Sequence, residues 1–458
     1  MSSEFINTLG LSPGLCKVLK DIGYAQLTPI QQDSIGLLLE GKDVIGQAQT
    51  GSGKTAAFSI PILEKIQTKT RILQALVLCP TRELGLQVAE QMRRLGRYQP
   101  NLFIVPLLGG NPFRAQMRSI EHGVHIVVGT PGRILDHLQR QTVDFANIKT
   151  VVLDEADRML DMGFRDDIEE ILKHVPQNRQ TVLFSATFPP TIEGLSKRYQ
   201  KDPVRIIAKA LEAPAIEERF YETSYEQKME TLLSYVQAHP PESAIIFCNT
   251  KIAVDELYQG LRTKRLSAEK LHGDMEQPDR VRVMAKFRNQ TARILVATDV
   301  AARGIDVSGV EMVINYDLPS DPEVYVHRIG RTGRIGKPGL AVSFFKPMES
   351  AKVKTVENYT KRTFQKLKWD LSSEPQEIRE NKMETLYIGG GRKQKVRPTD
   401  ILGALTGEGG CKADQVGKIE ILDNFTYVAV SREVSNEVVT RLKAGKIKGR
   451  RFQVEKVK

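Results

Sequence analysis

The sequence predicts an α/β protein: two tandem domains built on parallel sheets, followed by a small α+β domain. Three observations predict this class. Aliphatic runs of strand length alternate with segments of helical periodicity, the pattern of parallel strands buried on both faces. At 458 residues the chain exceeds what one core usually serves, so two or three domains are expected. Short matches recur at nearly one offset, as a duplicated domain would leave them.

In chain order, "LQALVLCP", "VHIVVGTP", "TVVLDEA" and "TVLFSAT" supply strands of the first domain, and "SAIIFCNT", "RILVATD", "EMVINYD" and "LAVSFF" those of the second. "VLCPTREL" sets Cys79 and Thr81 at a strand end, and "IFCNTKIA" repeats this at Cys248 and Thr250, an offset of 169. "IVVGTPGRILD" and "ILVATDVAARGID" place Thr130 and Thr298 after their strands, an offset of 168. Coincidence between aliphatic strands ending in Thr is the competing explanation. Under duplication, both halves present hydroxyls and helix-start N–H groups in equivalent places, and such groups bind phosphates.

The Pro-bounded, mixed-charge stretch "YQKDPVRIIAKALEAPAIEERFY" marks the join. The first domain is expected over 1–207, a linker over 208–218 and the second domain over 219–370. "DLSSEPQEIRENKMETLY" contains a second linker, 371–383. Within 384–458, "ETLYIGGG", "GKIEILD", "FTYVAVS" and "RRFQVEKV" read as strands, with helices after Pro398 and Ser431; the order βαββαβ is ferredoxin-like. Trp369, the single tryptophan, is expected to pack rather than to act.

Hydrophobic content of 41% and charged content of 26% describe a globular chain. No run approaches the roughly 20 apolar residues that span a bilayer, and "MSSEFINTLG" lacks the features of a signal peptide, so a cytoplasmic location without membrane contact is expected. Cys16, Cys79, Cys248 and Cys411 stand far apart, which argues against a zinc site or a disulfide framework. Of the net charge of +11, a net of +7 lies from Ile388 to Lys458, where 15 Lys or Arg face 8 Asp or Glu. A localised basic segment favours a polyanion, above all nucleic acid; a solubilising surface is the competing reading of charge alone.

"AQTGSGKT" (Ala48 to Thr55) sits between a short strand and a helical segment. Gly51 and Gly53 let the backbone wrap phosphates, Lys54 reaches the β and γ groups, and the Thr55 hydroxyl faces Mg²⁺. Ala48 departs from the strict pattern by replacing its first glycine. "TVVLDEADRML" then runs a strand into Asp154, Glu155 and Asp157. Beyond a phosphate loop, Asp154 is expected to hold Mg²⁺ through water and Glu155 to orient or deprotonate the attacking water. A helix N-terminus alone explains one or two acids, not three beside Lys54 and Thr55. "HRIGRTGR" (His327 to Arg334) packs three arginines into eight positions. Alone it is a basic turn or a phosphate grip. With a nucleotide site in the first domain, Arg331 and Arg334 become arginine fingers in cis, a device contributing about 10³ to 10⁵ in rate.

In this order, "GYAQLTPIQ", "AQTGSGKT", "PTREL", the "GG" at Gly109, "TPGR", "DEAD", "SAT", "IIFCNT", "ATDVAARGID" and "HRIGRTGR" resemble the DEAD-box RNA helicases, over roughly Phe5 to Phe345. The resemblance implies two RecA-like domains that use ATP and Mg²⁺. It implies an adenine-recognition segment at 3–31, with Gln31 on the adenine edge and Tyr24 or Phe5 near its face. Ala48, Gln49, Thr50, Gly51, Ser52, Gly53, Lys54 and Thr55 would form the ATP loop, and Asp306 would approach the ribose. Ser185 and Thr187 would couple Asp157 to domain closure, with His327 in the same role. Arg82, Gly110, Thr130 and Arg133, with Thr250, Gly273, Thr298 and Arg303, would hold the RNA backbone.

The tail resembles a narrower group, the DbpA-type bacterial helicases, through "RPTDILGALTGEGG", "VGKIEI", "YVAVS" and "AGKIKGRRFQV". This implies an RRM-like domain that targets a hairpin of large-subunit ribosomal RNA in a pre-ribosomal particle, and a protein working as a monomer. "DNFTYVAV" keeps Phe425 and Tyr427 but ends in Val430, which argues against base stacking on the sheet face. Arg392, Lys393, Lys446, Lys448, Arg450 and Arg451 are the alternative contacts. The expected activity is RNA-stimulated ATP hydrolysis with local unwinding of short RNA helices during ribosome assembly. The alternative is an ATP-gated RNA clamp or assembly scaffold.

Overall fold

The computed structural model describes residues 9–24, 26–48, 51–208, 216–302, 307, 309–333, 338–376 and 381–457. Of the expected site residues, Phe5, Gln49, Thr50, Arg303, Asp306 and Arg334 lie outside the described residues. The chain forms two units, one within Met1–Ala213 and one within Pro214–Ala302 and Val307–Lys458.

In the first unit the strands are β1 Val44–Gln47, β2 Ala75–Leu78, β3 Ile104–Leu107, β4 Ile126–Gly129, β5 Thr150–Leu153, β6 Gln180–Ser185 and β7 Val204–Ile207. Among the described residues they form one parallel sheet, in the order β3-β4-β2-β5-β6-β1-β7. Every residue of β2, β4, β5 and β6 is buried, which is why these stretches read as unbroken apolar runs. Successive residues serve opposite faces. Val77, Val128, Val152 and Val182 pack with Phe58 and Met92 on one face, and Leu76, Val127, Val151 and Leu183 with Ile134 and Ile168 on the other. Removing each such side chain from water contributes roughly 1.5–3 kcal/mol. Gly46 of β1 lies against the Phe184 ring; any side chain there would collide with it.

The second unit repeats the plan. Its strands β8 Ile216–Glu222, β9 Ala244–Cys248, β10 Ala268–Leu271, β11 Ile294–Thr298, β12 Met312–Asn315, β13 Gly339–Phe345 and β14 Lys366–Lys368 run parallel in the order β10-β11-β9-β12-β13-β8-β14. This is the first order with seven added to each index, as a duplication requires. Strand β8 begins at Ile216, inside the stretch expected as linker. Trp369 follows β14, packs edge-on against Tyr221 and Tyr235, and donates its indole N–H to Ser234 Oγ at 3.1 Å.

The chain then builds β15 Met383–Ile388, β16 Val416–Ile421, β17 Thr426–Ser431 and β18 Val454–Lys456 into an antiparallel sheet, β16-β17-β15-β18. Helices Pro398–Thr406 and Ser435–Ala444 cover one face with Ile401, Leu405, Val438 and Leu442. The other face packs on helix Gln277–Arg288 of the preceding domain: Tyr427, Val457, Tyr387 and Phe425 gather around Ala285. Around this contact Asn289 Nδ2 donates to Thr385 Oγ1 at 3.2 Å, the hydroxyls of Thr291 and Thr385 lie 2.7 Å apart, and Arg288 meets Glu420 at 2.6 Å. The aromatic face that would stack bases in an ordinary RRM is here a protein contact.

Candidate active site

Strand β1 leads through Ala48 to a turn in which Gly51 and Gly53 adopt φ of 84° and 93°, a region open to glycine at little cost. Helix Lys54–Lys65 starts directly after it. Lys54 is buried, and its Nζ donates to the Ala48 carbonyl at 2.9 Å, so the ammonium is parked on the loop's own backbone. Gln31, in the first turn of helix Pro29–Leu39, accepts from Thr28 N and donates to Gly53 O, both at 3.0 Å. A side chain at Gly53 would strike that amide. Gln31 thereby ties the start of helix Pro29–Leu39 to the glycine turn at Gly53. Burial pushes the Tyr24 phenol upward, while a hydrogen bond with Gln31 opposes the shift.

The three acids after β5 differ in how they are satisfied. Asp154 is 2% exposed, and its Oδ1 has no hydrogen-bond partner. Burial pushes its pKa up to about 7, against the pull of Lys54. Leaving such a group buried is costly unless a cation meets it; this orphaned oxygen beside Lys54 fits a divalent cation bound with phosphate. Glu155 adopts φ 52° and ψ 53°, a left-handed conformation costing roughly 1–2 kcal/mol for a residue with a Cβ. It pairs with Arg158 at 2.6 Å. On Asp157, Oδ2 accepts from Ala186 N, Thr187 N and Thr187 Oγ1 at 3.0, 2.8 and 3.0 Å, while its own N–H donates to Ser185 Oγ at 3.3 Å. Burial alone would raise its pKa, but the hydrogen bonds from Thr187, Ser185 and Arg158 together hold it below the usual value. The Cys79 thiol is driven well upward by burial and by Asp154 and Glu155, which keeps it neutral.

The expected RNA residues of this unit gather at the C-terminal ends of β2, β3 and β4, neighbours in the sheet. Thr81 caps helix Arg82–Leu95 by accepting from Leu84 N at 3.3 Å. The Arg82 guanidinium lies against Gly110, whose φ is 76°; a Cβ there would overlap Nη1. Thr130 Oγ1 accepts from Gly109 N at 3.5 Å, and Arg133 Nη1 donates to Asn111 O at 3.0 Å. Behind them lies a bridge that sequence reasoning missed. Gln116 Nε2 donates to Leu108 O at 2.6 Å, Gln116 Oε1 meets His137 Nε2 at 3.0 Å, and His137 Nδ1 meets Thr142 Oγ1 at 2.7 Å. Burial lowers the His137 pKa to about 4, so the ring stays neutral, stacked on Phe113 at 4.4 Å. The available signal was a histidine four positions after Arg133, on the buried face of "PGRILDHL".

The second unit places Thr250, Gly273 and Thr298 after or at the ends of β9, β10 and β11, again neighbours. Thr250 caps helix Lys251–Thr263 by accepting from Ala253 N at 3.1 Å. His327 Nε2 lies 4.0 Å from Glu323, and the Arg331 carbonyl accepts from Gly309 N at 2.7 Å. Arg328, the remaining arginine of "HRIGRTGR", was assigned no role from sequence, yet it is 2% exposed and holds both Asp299 oxygens at 2.6 Å.

In the last domain Arg392, Lys393, Lys446, Lys448, Arg450 and Arg451 are all exposed. Ile447 and Arg450 pair across a tight turn with positive φ at Lys448 and Gly449. Lys448 Nζ donates to Lys395 O at 2.6 Å, joining the two basic loops. Lys395, also exposed, is the addition that the structure makes to this cluster. Among the described residues no group of three or more His, Cys, Asp or Glu is arranged to hold a metal, and no helix is long and apolar enough to cross a membrane.

Family models match along the chain: DEAD/DEAH box helicase over residues 28–195, helicase conserved C-terminal domain over 227–336, and DbpA RNA binding domain over 385–456. The chain is 46% identical over 451 residues to the ATP-dependent RNA helicase DbpA of Escherichia coli (strain K12), covering 98% of each. It is 48% identical to the DEAD-box ATP-dependent RNA helicase CshA of Geobacillus kaustophilus over 79% of this chain and 77% of that one. Among solved structures, S. cerevisiae Dbp5 bound to RNA and ADP BeF3 aligns with a TM-score of 0.72 at 32% identity, over 79% of this chain and 95% of that chain.

Proposed function

The chain belongs to the DEAD-box ATP-dependent RNA helicases, and on that premise we propose that it opens short helices of large-subunit ribosomal RNA during ribosome assembly, held there by its last domain. The observation that carries the enzymatic part is the unpartnered Asp154 Oδ1, on the same sheet edge as Arg82, Thr130 and Arg133. Nucleotide charge and RNA backbone are thus met by one rigid edge. Asp154, through water, and Thr55 would hold Mg²⁺, which supplies charge neutralisation to the phosphates.

The chain's own residues do the rest. Lys54 exchanges the Ala48 carbonyl for a phosphate oxygen. Glu155 orients and deprotonates the attacking water, with Arg158 fixing its carboxylate. Asp157 ties the helix carrying it to the Ser185–Thr187 segment, so movement on one side is felt on the other. Gln31, with Phe5 and Tyr24, holds the adenine, and Asp306 holds the ribose. On closure Arg331 and Arg334, positioned with His327, act on the phosphates. Thr250, Gly273, Thr298 and Arg303 grip the strand from the second domain.

Contacts confined to the backbone accept a bent single strand and reject a stiff duplex. Stacking in DNA is worth about 1.4 kcal/mol per step, so opening five steps needs roughly 7 kcal/mol of differential binding, a scale that suits short helices. The exposed basic loops around Lys448 and Arg392 support anchoring on structured RNA. In this reading the protein works as a cytoplasmic monomer on pre-ribosomal particles. Strand displacement from a short duplex joined to a ribosomal RNA hairpin tests it. ATP-dependent displacement is expected; ATP-dependent binding without displacement would leave a clamp or scaffold instead.

A further inference from the structure

Because the two parallel sheets share one strand order, each position in the first can be found in the second. Strand β1 leads to a helix whose first residue is Lys54, and β5 ends directly before Asp154. Strand β8 leads to helix Lys228–Ala238, whose first residue is Lys228, and β12 ends at Asn315, shortly before Asp317. Strand β6 separates the first pair of strands and β13 the second. Lys228 thus stands in the place of Lys54, and Asp317 in that of Asp154, since Asp317 N donates to Phe247 O of β9 as Asp154 N donates to Leu78 O of β2.

What has changed is the loop and the contact. "TSYEQ", from Thr223 to Gln227, has no glycine with which to wrap a phosphate. Lys228 Nζ lies 2.6 Å from Asp317 Oδ1 and 4.5 Å from the centre of the Tyr316 ring. Lys228 is 4% exposed. An ammonium and a carboxylate that would otherwise face a phosphate and its cation here satisfy each other.

The pair also has neighbours with work to do. Asp317 Oδ2 accepts from Asn249 N at 3.0 Å, and Asn249 adjoins Thr250. Asn249 Oδ1 accepts from Arg328 Nη2 at 2.9 Å, and Asp317 O accepts from Arg328 Nη1 at 2.5 Å. Arg328 grips Asp299, which adjoins Thr298, and lies on helix Pro322–Ile329, which leads into Arg331. The ends of β9, β11 and β12 and the arginine helix thus meet around one ion pair whose lysine is buried.

We propose that Lys228 and Asp317 are a nucleotide site filled by its own side chains, and that they act as positioning residues setting Thr250, Thr298 and the Arg331 segment in one arrangement. This rests on the RNA-stimulated ATPase reading above. Wild-type protein is expected to bind one fluorescent ATP analogue per chain; two would overturn the idea of a self-filled site. Lys228→Met and Asp317→Asn are each expected to raise the RNA concentration for half-maximal ATPase about tenfold, with ATP affinity measured without RNA unchanged. Lys228→Arg should recover most of the loss. Asp317→Asn keeps an acceptor for Asn249 N and gives the readout if Lys228→Met fails to fold. A lowered melting temperature with an unchanged RNA requirement would overturn the positioning role. Absence of RNA stimulation in wild-type protein would instead remove the ATPase reading itself.

Discussion

Sheet β1–β7 and sheet β8–β14 run their strands in one order, yet Asp154 after β5 keeps an oxygen without a partner, whereas Asp317 after β12 has both oxygens engaged. The difference lies in a handful of side chains at strand ends. In the first sheet Gly51 and Gly53 take positive φ and Lys54 rests on the Ala48 carbonyl. In the second the glycines are gone and the lysine is spent on the acid. The two sheets share one strand order, and what differs is that the first leaves a carboxylate oxygen unsatisfied. The second engages both oxygens of its acid, with Arg328 and Asp317 binding strand ends together. The proposed active site lies in the half whose acid is less well satisfied.

That comparison can be broken most directly at Glu155, which has no counterpart after β12. Glu155→Gln is expected to lower ATP turnover about 10²–10⁴-fold while ATP and RNA still bind; turnover at the wild-type rate would dissolve the distinction. A second test uses one exchange in both domains. Burial raises Asp154 from 3.8 to about 7, so the folded chain keeps a proton that the unfolded chain releases between about pH 4 and 7. Stability attributable to this group therefore falls as pH rises through that window. Asp154→Asn should stabilise ligand-free protein at about pH 8 by on the order of a few kcal/mol, read as a higher melting temperature, and change little at about pH 4. Asp317→Asn should lower it, because a buried ammonium loses its partner. Equal signs would refute the contrast. The smallest effect is expected behind the first RNA edge. His137→Leu leaves the Gln116 acceptor unsatisfied at a cost of roughly 1–3 kcal/mol, read as a lower melting temperature and a higher RNA requirement at unchanged ATP affinity.

Much of this was legible because the chemistry is contiguous. A phosphate loop needs neighbouring residues to wrap one ligand, so "AQTGSGKT" carries its own meaning, and strands buried on both faces announce themselves as apolar runs. The division of labour among Asp154, Glu155 and Asp157 was an expectation of the sequence and its resemblance; the structure adds how two of them are held, Asp157 by Thr187 and Glu155 by Arg158. Lys228 and Asp317 are 89 positions apart, and neither spacing nor composition couples them. "HRIGRTGR" displays three arginines alike, while burial separates Arg328 from Arg331. Strand β8 was mistaken in part for linker because it lies next to the edge and buries few residues, so "IEERFYE" carries charges that a central strand would exclude. Tyr427 and Phe425 resemble stacking residues in sequence, and only the fold shows Ala285 beneath them.

Because Lys228 and Asp317 satisfy each other, the charge balance at this corner of the second sheet does not depend on a nucleotide. A ligand present at 100 times its dissociation constant stabilises the domain that binds it by about 2.7 kcal/mol, and only that domain. When ATP runs short, Asp154 would be left with its unpaired oxygen while the Lys228–Asp317 pair, in the domain whose Gln277–Arg288 helix seats the small domain, stays made. The charge at Lys228 is thus met by the chain alone, whatever the nucleotide supply.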